Sequence, residues 1–516
     1  MTGDEYRESL RRCRPRVFVN GRQVASVADE PTLAPGVNAI ALTYDYAHRE
    51  ALAPLMRDGD VNRMLSIPGS GQDLLNKLEA VRLLCQETGC AQRYLAGDAF
   101  SGLRSVTREM DAEQGTDYAA RFAAYLERAR REDLAIGIAM TDGKGDRTVR
   151  PHAQANPDTY VHISGRRRDG ITLRGAKAIV TGAPYMHELL VMPCRNMTEA
   201  DREYAVCAAV PIDAPGLTLV SRPAGRPGEA AAEFSGRYGQ ATAVAVFEDV
   251  FVPWERVFLA GEWALSGKLT YAYATHHRHT CIAARAGFGD LLIGAGALMT
   301  EANGIDLDRA PNLRESMVDL IRIVEGFFAC GVAASVYSQI DASGVAVPDP
   351  VFANIGKLLL ATQIYDMHRL AHHVSGGLIV ALPGPEEDHN PATGGRISEL
   401  LAGRSDIPYE KRIEVARFIE DLTASNQGGW YSVISLHGGG SPEAMKMEIW
   451  RRYPVGSKVD LVERLLERDV LADQVRAITR NRQPGRCCIN GCMVPLPEAA
   501  APPELGTGTI PLTVTD

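Results

Sequence analysis

The stretch THHRHTCIAARAGFGD, residues 275–290, carries three histidines and a cysteine within five positions of one another on a segment with helical character. Imidazole and thiol are the side chains of metal ligation and of proton or covalent chemistry near neutral pH. On a helix, positions i, i+4 and i+7 share a face, so His277 aligns with Cys281 and Ala284. His276 and His279 point elsewhere, and the three histidines therefore cannot converge as ligands from this helix alone. What the cluster does depends on what a second helix brings to it.

Two further stretches have the polarity of a cofactor loop. AMTDGKGDR, residues 139–147, sets Thr141, Asp142, Lys144, Asp146 and Arg147 around Gly143 and Gly145. Glycines let a backbone approach a flat ring or a phosphate closely. AKAIVTGAP, residues 176–184, ends an expected strand at Val180, Thr181 and Gly182, which puts a hydroxyl and main-chain amides at its mouth. Each loop read alone is equally a polar turn. No G-x-G-x-x-G follows a strand and no G-x-x-x-x-G-K-[ST] occurs, so Rossmann and P-loop sites are not supported.

The elements that must position these residues fall into a three-part α+β order. Residues 1–138 read as mainly helical after an extended start, with DLLNKLEAVRLLCQETG and YAARFAAYLERARREDL spaced at about 3.6 residues. Residues 139–267 change to short β-type runs broken by Gly, Pro and Asp. Residues 268–483 return to long helical patterns, and 484–516, rich in Pro and small residues, are expected to form an extended tail. A sheet between helical layers leaves a cleft, the usual place for a cofactor.

The 516 residues, with 45% hydrophobic and 23% charged side chains, are ordinary for an enzyme. A net charge of −9 argues against nucleic acid as a partner. The charged opening lacks the apolar core of a signal peptide, and no apolar run of about 20 residues suggests a membrane span. Ten cysteines, at 13, 85, 90, 194, 207, 281, 330, 487, 488 and 492, form no disulfide framework. They fit a reducing compartment, and a cytoplasmic location is expected. RCCINGC lacks the paired knuckles of a zinc site.

Taken together, PGVNAIALTYDYA, AMTDGKGDR, RGAKAIVTGA, FEDVFVPWERVF, HHRHTCIAARAGFGDLLIGAGAL, VSGGLIVALP and LHGGGSPEA resemble the flavoprotein family of 4-hydroxyphenylacetate 3-hydroxylase and 4-hydroxybutyryl-CoA dehydratase, nearer the dehydratase branch. The resemblance implies an acyl-CoA dehydrogenase-like fold: an N-terminal helical domain, a middle β-barrel or sheet domain and a C-terminal helical bundle. It also implies FAD lined by TDGKGDR and VTG, and a homotetramer built on the bundle.

The dehydratase holds a [4Fe-4S] cluster with a Cys-x3-Cys segment and a His-x6-Cys helix. Here the spacings persist, but Cys90 is followed by Tyr94 and His277 by Ala284. Alanine cannot ligate iron and a phenol is a poor substitute for a thiolate. Cys281 stands where the dehydratase pattern has a tyrosine, so a Tyr and a Cys are exchanged across the site. Thr242 and Ile434 occupy the positions of that branch's glutamates and Arg285 that of its lysine, whereas Gln92 and Thr181 match. No metal is therefore expected. The hydroxylase branch's catalytic Arg and Tyr have no counterpart in YLAGDAFSG, and its histidine falls on Ile138.

The residues left for chemistry are His277 as acid or base, Tyr94, Gln92 and Arg285, with Cys90 and Cys281 as free thiols. Arg285 is suited either to hold a carboxylate or phosphate, or to pair with an acid on a helix face. The leading expectation is a flavin monooxygenase acting on a small organic substrate and fed reduced flavin by a separate reductase. Two alternatives accompany it: a dehydratase or double-bond isomerase acting on an acyl-CoA, and a flavoprotein that binds without turnover.

Overall fold

The computed structural model describes residues 1–223 and 233–466; the expected tail at 484–516, with Cys487, Cys488 and Cys492, lies outside the described residues. Most of the chain is helical; the strands form two larger sheets and, at Arg57–Asp58 with Val61–Asn62 and at Gln339–Ile340 with Ala346–Val347, two small two-stranded ladders. We label the strands β1 (Arg16–Val19), β2 (Arg22–Gln23), β3 (Ile136–Ala139), β4 (Thr141–Asp142), β5 (His162–Arg166), β6 (Gly170–Thr181), β7 (Glu188–Val191), β8 (Val206–Pro211), β9 (Leu217–Arg222), β10 (Thr242–Pro253) and β11 (Val257–Ala260). The larger sheet runs β2-β1-β9-β10-β6-β4, with β5 also paired to β6; the smaller runs β11-β8-β7-β3. Among the described residues neither sheet closes into a barrel.

The long strands β6 and β10 pair antiparallel in a register that sets Thr181 opposite Thr242 and Val180 opposite Ala243. Their inward residues, including Val180, Ala243 and Ala245, alternate with exposed ones, as a half-buried strand requires. The start of the chain is not extended as expected but a helix, Gly3–Arg12, with a capping box at Thr2; the strand after it joins this sheet, β1 lying parallel to β9 with Arg16 opposite Thr218. That pairing joins strands about two hundred residues apart, which no local pattern could announce.

The helices that position the site are α1 (Gly71–Thr88), α2 (Leu95–Gln114), α3 (Trp263–Ala302), α4 (Pro311–Val336), α5 (Pro350–Ser375), α6 (Tyr409–Thr423) and α7 (Asn426–His437). The 40-residue α3 is long and apolar enough to cross a membrane by length and composition. Its contacts instead make it the central helix of the bundle, packed by α1, α2, α4 and α5. The stretch 275–289 is buried on every face, which explains why its apolar pattern has no clear stripe. One core unites α1 and α2 with the C-terminal helices, and a second fills the sheets.

Candidate functional site

Helix α1 starts with Ser70 accepting the Asp73 amide and stops at Gly89, whose φ of +65° few side chains tolerate. That left-handed stop turns the chain so that Cys90, Gln92 and Tyr94 lie buried against α3. A short 3-10 turn, Gln92–Tyr94, leads directly into α2, which carries Asp98 one turn further on. From α3, His277, Cys281 and Arg285 follow one another at four-residue steps along the face turned toward this segment.

These residues form a connected set. Cys281 Sγ lies 3.4 Å from His277 Nε2. On the other side of the ring, Nδ1 lies 3.5 Å from Asp98 Oδ2. The same carboxylate receives Thr280 Oγ1 at 2.6 Å and Lys77 Nζ at 2.7 Å. Tyr273 stacks on the imidazole at 5.2 Å and 12°, and Tyr94 stacks at 6.5 Å and 23°. Gln92 Nε2 donates to Cys90 Sγ at 3.2 Å.

The electrostatics follow from this arrangement. Burial opposes charge on His277, but Cys281 and Asp98 outweigh it and hold the imidazole up to about 9. Burial likewise opposes a Cys281 thiolate, yet His277, Lys357 and Arg285 bring the thiol below its ordinary value. Asp98, despite burial, is pulled down to about 2 by Lys77 and His277. Cys90 moves the other way: burial raises it and keeps it a neutral thiol. The Tyr94 phenol is also raised by burial. The outcome is an imidazolium facing a thiolate-prone cysteine, oriented by a carboxylate.

His276 and His279 turn away, as the helical spacing requires. His279 Nε2 meets Ser335 Oγ at 2.7 Å, and burial lowers the two imidazoles to about 4 and, for His276, about 3. Sequence reasoning missed Asp98, Lys77, Lys357, Tyr431 and Ser435. The available signal was a charged residue isolated on an apolar helix, as Lys357 is in NIGKLLLA.

Among the described residues Arg285 pairs with no acid on a neighbouring helix face. Its Nε donates to Ser435 Oγ at 2.5 Å and its Nη1 to Tyr431 Oη at 3.1 Å, with the guanidinium 4.2 Å over the Tyr431 ring. Tyr431 Oη in turn donates to the Gly89 carbonyl, tying α7 to the end of α1. Gly439, at φ +78°, closes this side: a methyl group there would sit 3.5 Å from the His277 ring and 3.6 Å from Lys357 Cε. The HGGGSPEA motif is thus the wall above the histidine.

The donors do not suit a four-iron cluster. Tyr94 and Ala284 stand at two of the required positions, and Ala284 is fully buried with only a methyl group to offer. Cys281 is engaged with His277, and Cys90 accepts from Gln92 Nε2. Among the described residues no group of three or more His, Cys, Asp or Glu side chains is arranged to hold a metal ion.

The two loops lie at the sheet. In the first, Thr141 is partly exposed, Asp142 is buried, and Gly143, Lys144, Gly145, Asp146 and Arg147 are exposed. Asp142 is a strut: it pairs with buried Lys177 at 2.7 Å and accepts the Val161 amide at 3.0 Å. Asp146 accepts from the Thr148 amide and hydroxyl, which caps the turn. Lys144 and Gly145 adopt positive φ, +70° and +47°, so the turn projects main-chain groups outward. Val180, Thr181 and Gly182 are buried at the end of β6. Thr181 Oγ1 lies 3.5 Å from Thr242 Oγ1, which accepts from Trp430 Nε1 of α7 at 3.1 Å.

Beside these loops the sheet exposes Ile179, Val244 and Val220, Val244 and Val220 being register partners. An apolar platform next to outward cations and amides is the chemistry a flavin requires: a flat ring on one side, a diphosphate on the other. The residues fit that cofactor.

Such a layout belongs to flavoproteins of mixed helix and sheet architecture, and the comparisons identify the class. Residues 2–259 match the family described as 4-hydroxyphenylacetate 3-hydroxylase N terminal, and 266–467 match its C-terminal counterpart. The chain belongs to the 4-hydroxyphenylacetate 3-hydroxylase family. It is 34% identical to the 4-hydroxybutyryl-CoA dehydratase/vinylacetyl-CoA-Δ-isomerase of Clostridium aminobutyricum, over 90% of this chain and 98% of that protein. It is 26% identical to the 4-hydroxyphenylacetate 3-monooxygenase oxygenase component of Thermus thermophilus, covering 88% and 94%. Among solved structures, the archaeal 4-hydroxybutyryl-CoA dehydratase of N. maritimus superposes with a TM-score of 0.87 at 33% identity, covering 92% and 98%. An oxygenase component of 4-hydroxyphenylacetate 3-monooxygenase complexed with FAD shares the fold, with a TM-score of 0.81 at 23% identity, covering 93% and 100%.

Proposed function

We propose that this protein is an FAD-dependent monooxygenase of the two-component type, acting on a small organic substrate with reduced flavin delivered by a separate reductase. The observation that carries the reading is the altered donor set at the helical pocket. Tyr94 and the fully buried Ala284 stand where two cluster thiolates would be needed, a donor set unsuited to a four-iron cluster, and this supports the flavin as the redox group. Bound FAD supplies electron transfer and oxygen activation. In this reading Thr141, Asp142, Gly143, Lys144, Gly145, Asp146, Arg147, Val180, Thr181 and Gly182 form its cradle.

The chain's own residues handle protons and position. His277, charged at neutral pH through Asp98 and Cys281, would hydrogen-bond an existing oxygen of the substrate and pass it a proton as that oxygen gains negative charge, the neutral imidazole then taking a proton back from the Cys281 thiol. Tyr94 and Gln92 orient the substrate, Arg285 anchors it, and the buried helical walls exclude water. The test is oxygen incorporation: with a flavin reductase, NADH and 18O2, a phenolic product should carry one labelled oxygen. Turnover that proceeds undiminished without oxygen sinks the reading.

A second reading is a non-oxidative acid–base enzyme acting on an acyl-CoA, a dehydratase or isomerase. The 34% identity to the clostridial dehydratase and the His277–Cys281 pair favour it. Anaerobic conversion of vinylacetyl-CoA, measured by its double-bond shift, separates the two. We also propose a cytoplasmic homotetramer, with Leu298, Val318, Val433 and Trp450, all about half exposed or more, buried between subunits. A monomer by light scattering at micromolar concentration would remove that proposal.

A further inference from the structure

Seven cysteines lie in the described residues, and in six of them burial decides the state of the thiol. Cys13, Cys85, Cys90, Cys194, Cys207 and Cys330 are all pushed up, toward the neutral and inert form. Cys281 is the exception, and its neighbours supply the reason. Its Sγ lies 3.4 Å from Nε2 and 3.7 Å from Nδ1 of His277, within reach of both ring nitrogens. Arg285 follows one turn along the same helix. Lys357 comes in from α5: a methyl group at Gly439 would meet the His277 ring at 3.5 Å and Lys357 Cε at 3.6 Å, so ring and ammonium stem flank one point. Burial opposes a Cys281 thiolate, but His277, Lys357 and Arg285 outweigh it.

Cys90 is the internal control. Arg285 acts on it as well, but its hydrogen-bond donor is the neutral Gln92 amide rather than an imidazole, and it stays a neutral thiol. Access runs in the same sense. His277 is 9% exposed and Cys281 6%, whereas Asp98, which orients the imidazole, is 0% exposed. Solvent therefore touches the sulfur and the proton donor and not the carboxylate behind them. Exposure this small suits a compact reagent.

We infer that Cys281 is a hydroperoxide-reactive thiol, with His277 as its proton donor and Arg285 and Lys357 as the cations that hold the anionic sulfur. The sulfur attacks the terminal oxygen of a hydroperoxide, R–O–O–H, and an S–O bond forms as the O–O bond breaks. The departing RO⁻ takes the proton from His277 and leaves as an alcohol, or as water when R is hydrogen. Sulfur gives up an electron pair, the peroxide receives it, and the products are a sulfenic acid and a neutral imidazole. The step uses no flavin and no acyl group, so it goes beyond both readings of the enzyme's own reaction and depends on neither.

The test uses the purified holoprotein in the dark, with hydrogen peroxide as the probe and dimedone to trap sulfenic acid. Adducts are located by peptide mass spectrometry at about pH 6.5, where an ordinary thiol is almost wholly protonated. Cys281 should be labelled at least about tenfold faster than Cys13, Cys194 and Cys330, although all three are more exposed. His277→Gln should slow labelling of Cys281 by about tenfold or more, and Lys357→Met should slow it several-fold. Labelling that follows exposure, with Cys13, Cys194 or Cys330 ahead of Cys281, overturns the inference. So does an unchanged rate at Cys281 in a folded His277→Gln variant, or a Cys281 that stays unlabelled. If His277→Gln does not fold, the wild-type ranking and Lys357→Met decide: an undiminished rate in Lys357→Met, or no lead for Cys281, overturns it.

Discussion

Two buried lysine–carboxylate pairs, at opposite ends of the candidate site, have the same geometry and different surroundings. Lys177–Asp142 sits under the polar loop of the sheet, and Lys77–Asp98 sits behind His277; each closes at 2.7 Å. Around Asp142 the hydrogen bonds run to main-chain groups: the Val161 amide donates to its carboxylate, and Lys177 also donates to the Met140 and Met192 carbonyls, while the nearby Cys194 thiol is raised by burial and by Asp142 and stays neutral. That pair is a bracket for backbone shape. Around Asp98 the partners are a hydroxyl and an imidazole whose other nitrogen faces a thiol. That pair extends into a proton-bearing chain. An ion pair that ends on backbone shapes a loop, whereas one that ends on a titratable side chain sets its charge.

The comparison is broken most directly at the two carboxylates. Asp98→Asn and Asp142→Asn should each cost about 3–5 kcal/mol in chemical denaturation, because each strands a buried lysine. Only Asp98→Asn should also lower the pKa read from the activity profile. Equal effects of both on that profile would erase the distinction. His277→Gln should next reduce turnover on the true substrate by 100-fold or more, the usual scale for losing an acid–base group, with flavin content unchanged. Near-full activity would assign His277 to the core alone.

Restoring thiolates sharpens the difference from the other side. Tyr94→Cys with Ala284→Cys should take up iron on anaerobic reconstitution, while the parent stays well below stoichiometry. A parent that takes up about four irons per chain, as a cubane demands, would put the acyl-CoA reading first. Thr141→Ala with Thr181→Ala should then lower flavin occupancy several-fold while activity per bound flavin is preserved. Unchanged flavin content in the folded double variant would detach these loops from the cofactor.

The smallest effect is the pH dependence of stability. His277 is held above the ordinary 6.5 of an imidazole, so its contribution is complete below that value and is lost as pH rises through about 9. Wild type minus His277→Gln should therefore show a stability difference that shrinks across pH 6.5–9. A difference that grows over that range contradicts an imidazolium in the folded protein.

By itself the sequence determined the helical face. Residues four and seven apart on α3 must align, so His277, Cys281 and Ala284 were bound to share a side, and His276 and His279 were bound to leave it. Local turn chemistry likewise determined the loops, since Gly145 and Gly182 take the positive φ the bends require, with Lys144 beside Gly145 also left-handed. Tertiary structure alone decided what those side chains meet. Asp98 and Lys77 reach His277 from two other helices, and Ser435 arrives from α7, 150 residues beyond Arg285. The strand after the first helix, β1, entered the sheet only by meeting β9 across the fold. Periodicity encodes direction along one element, whereas charge balance is a sum over every element that packs there. That sum turned an arginine with two possible partners in the sequence into one that, among the described residues, meets hydroxyls rather than an acid.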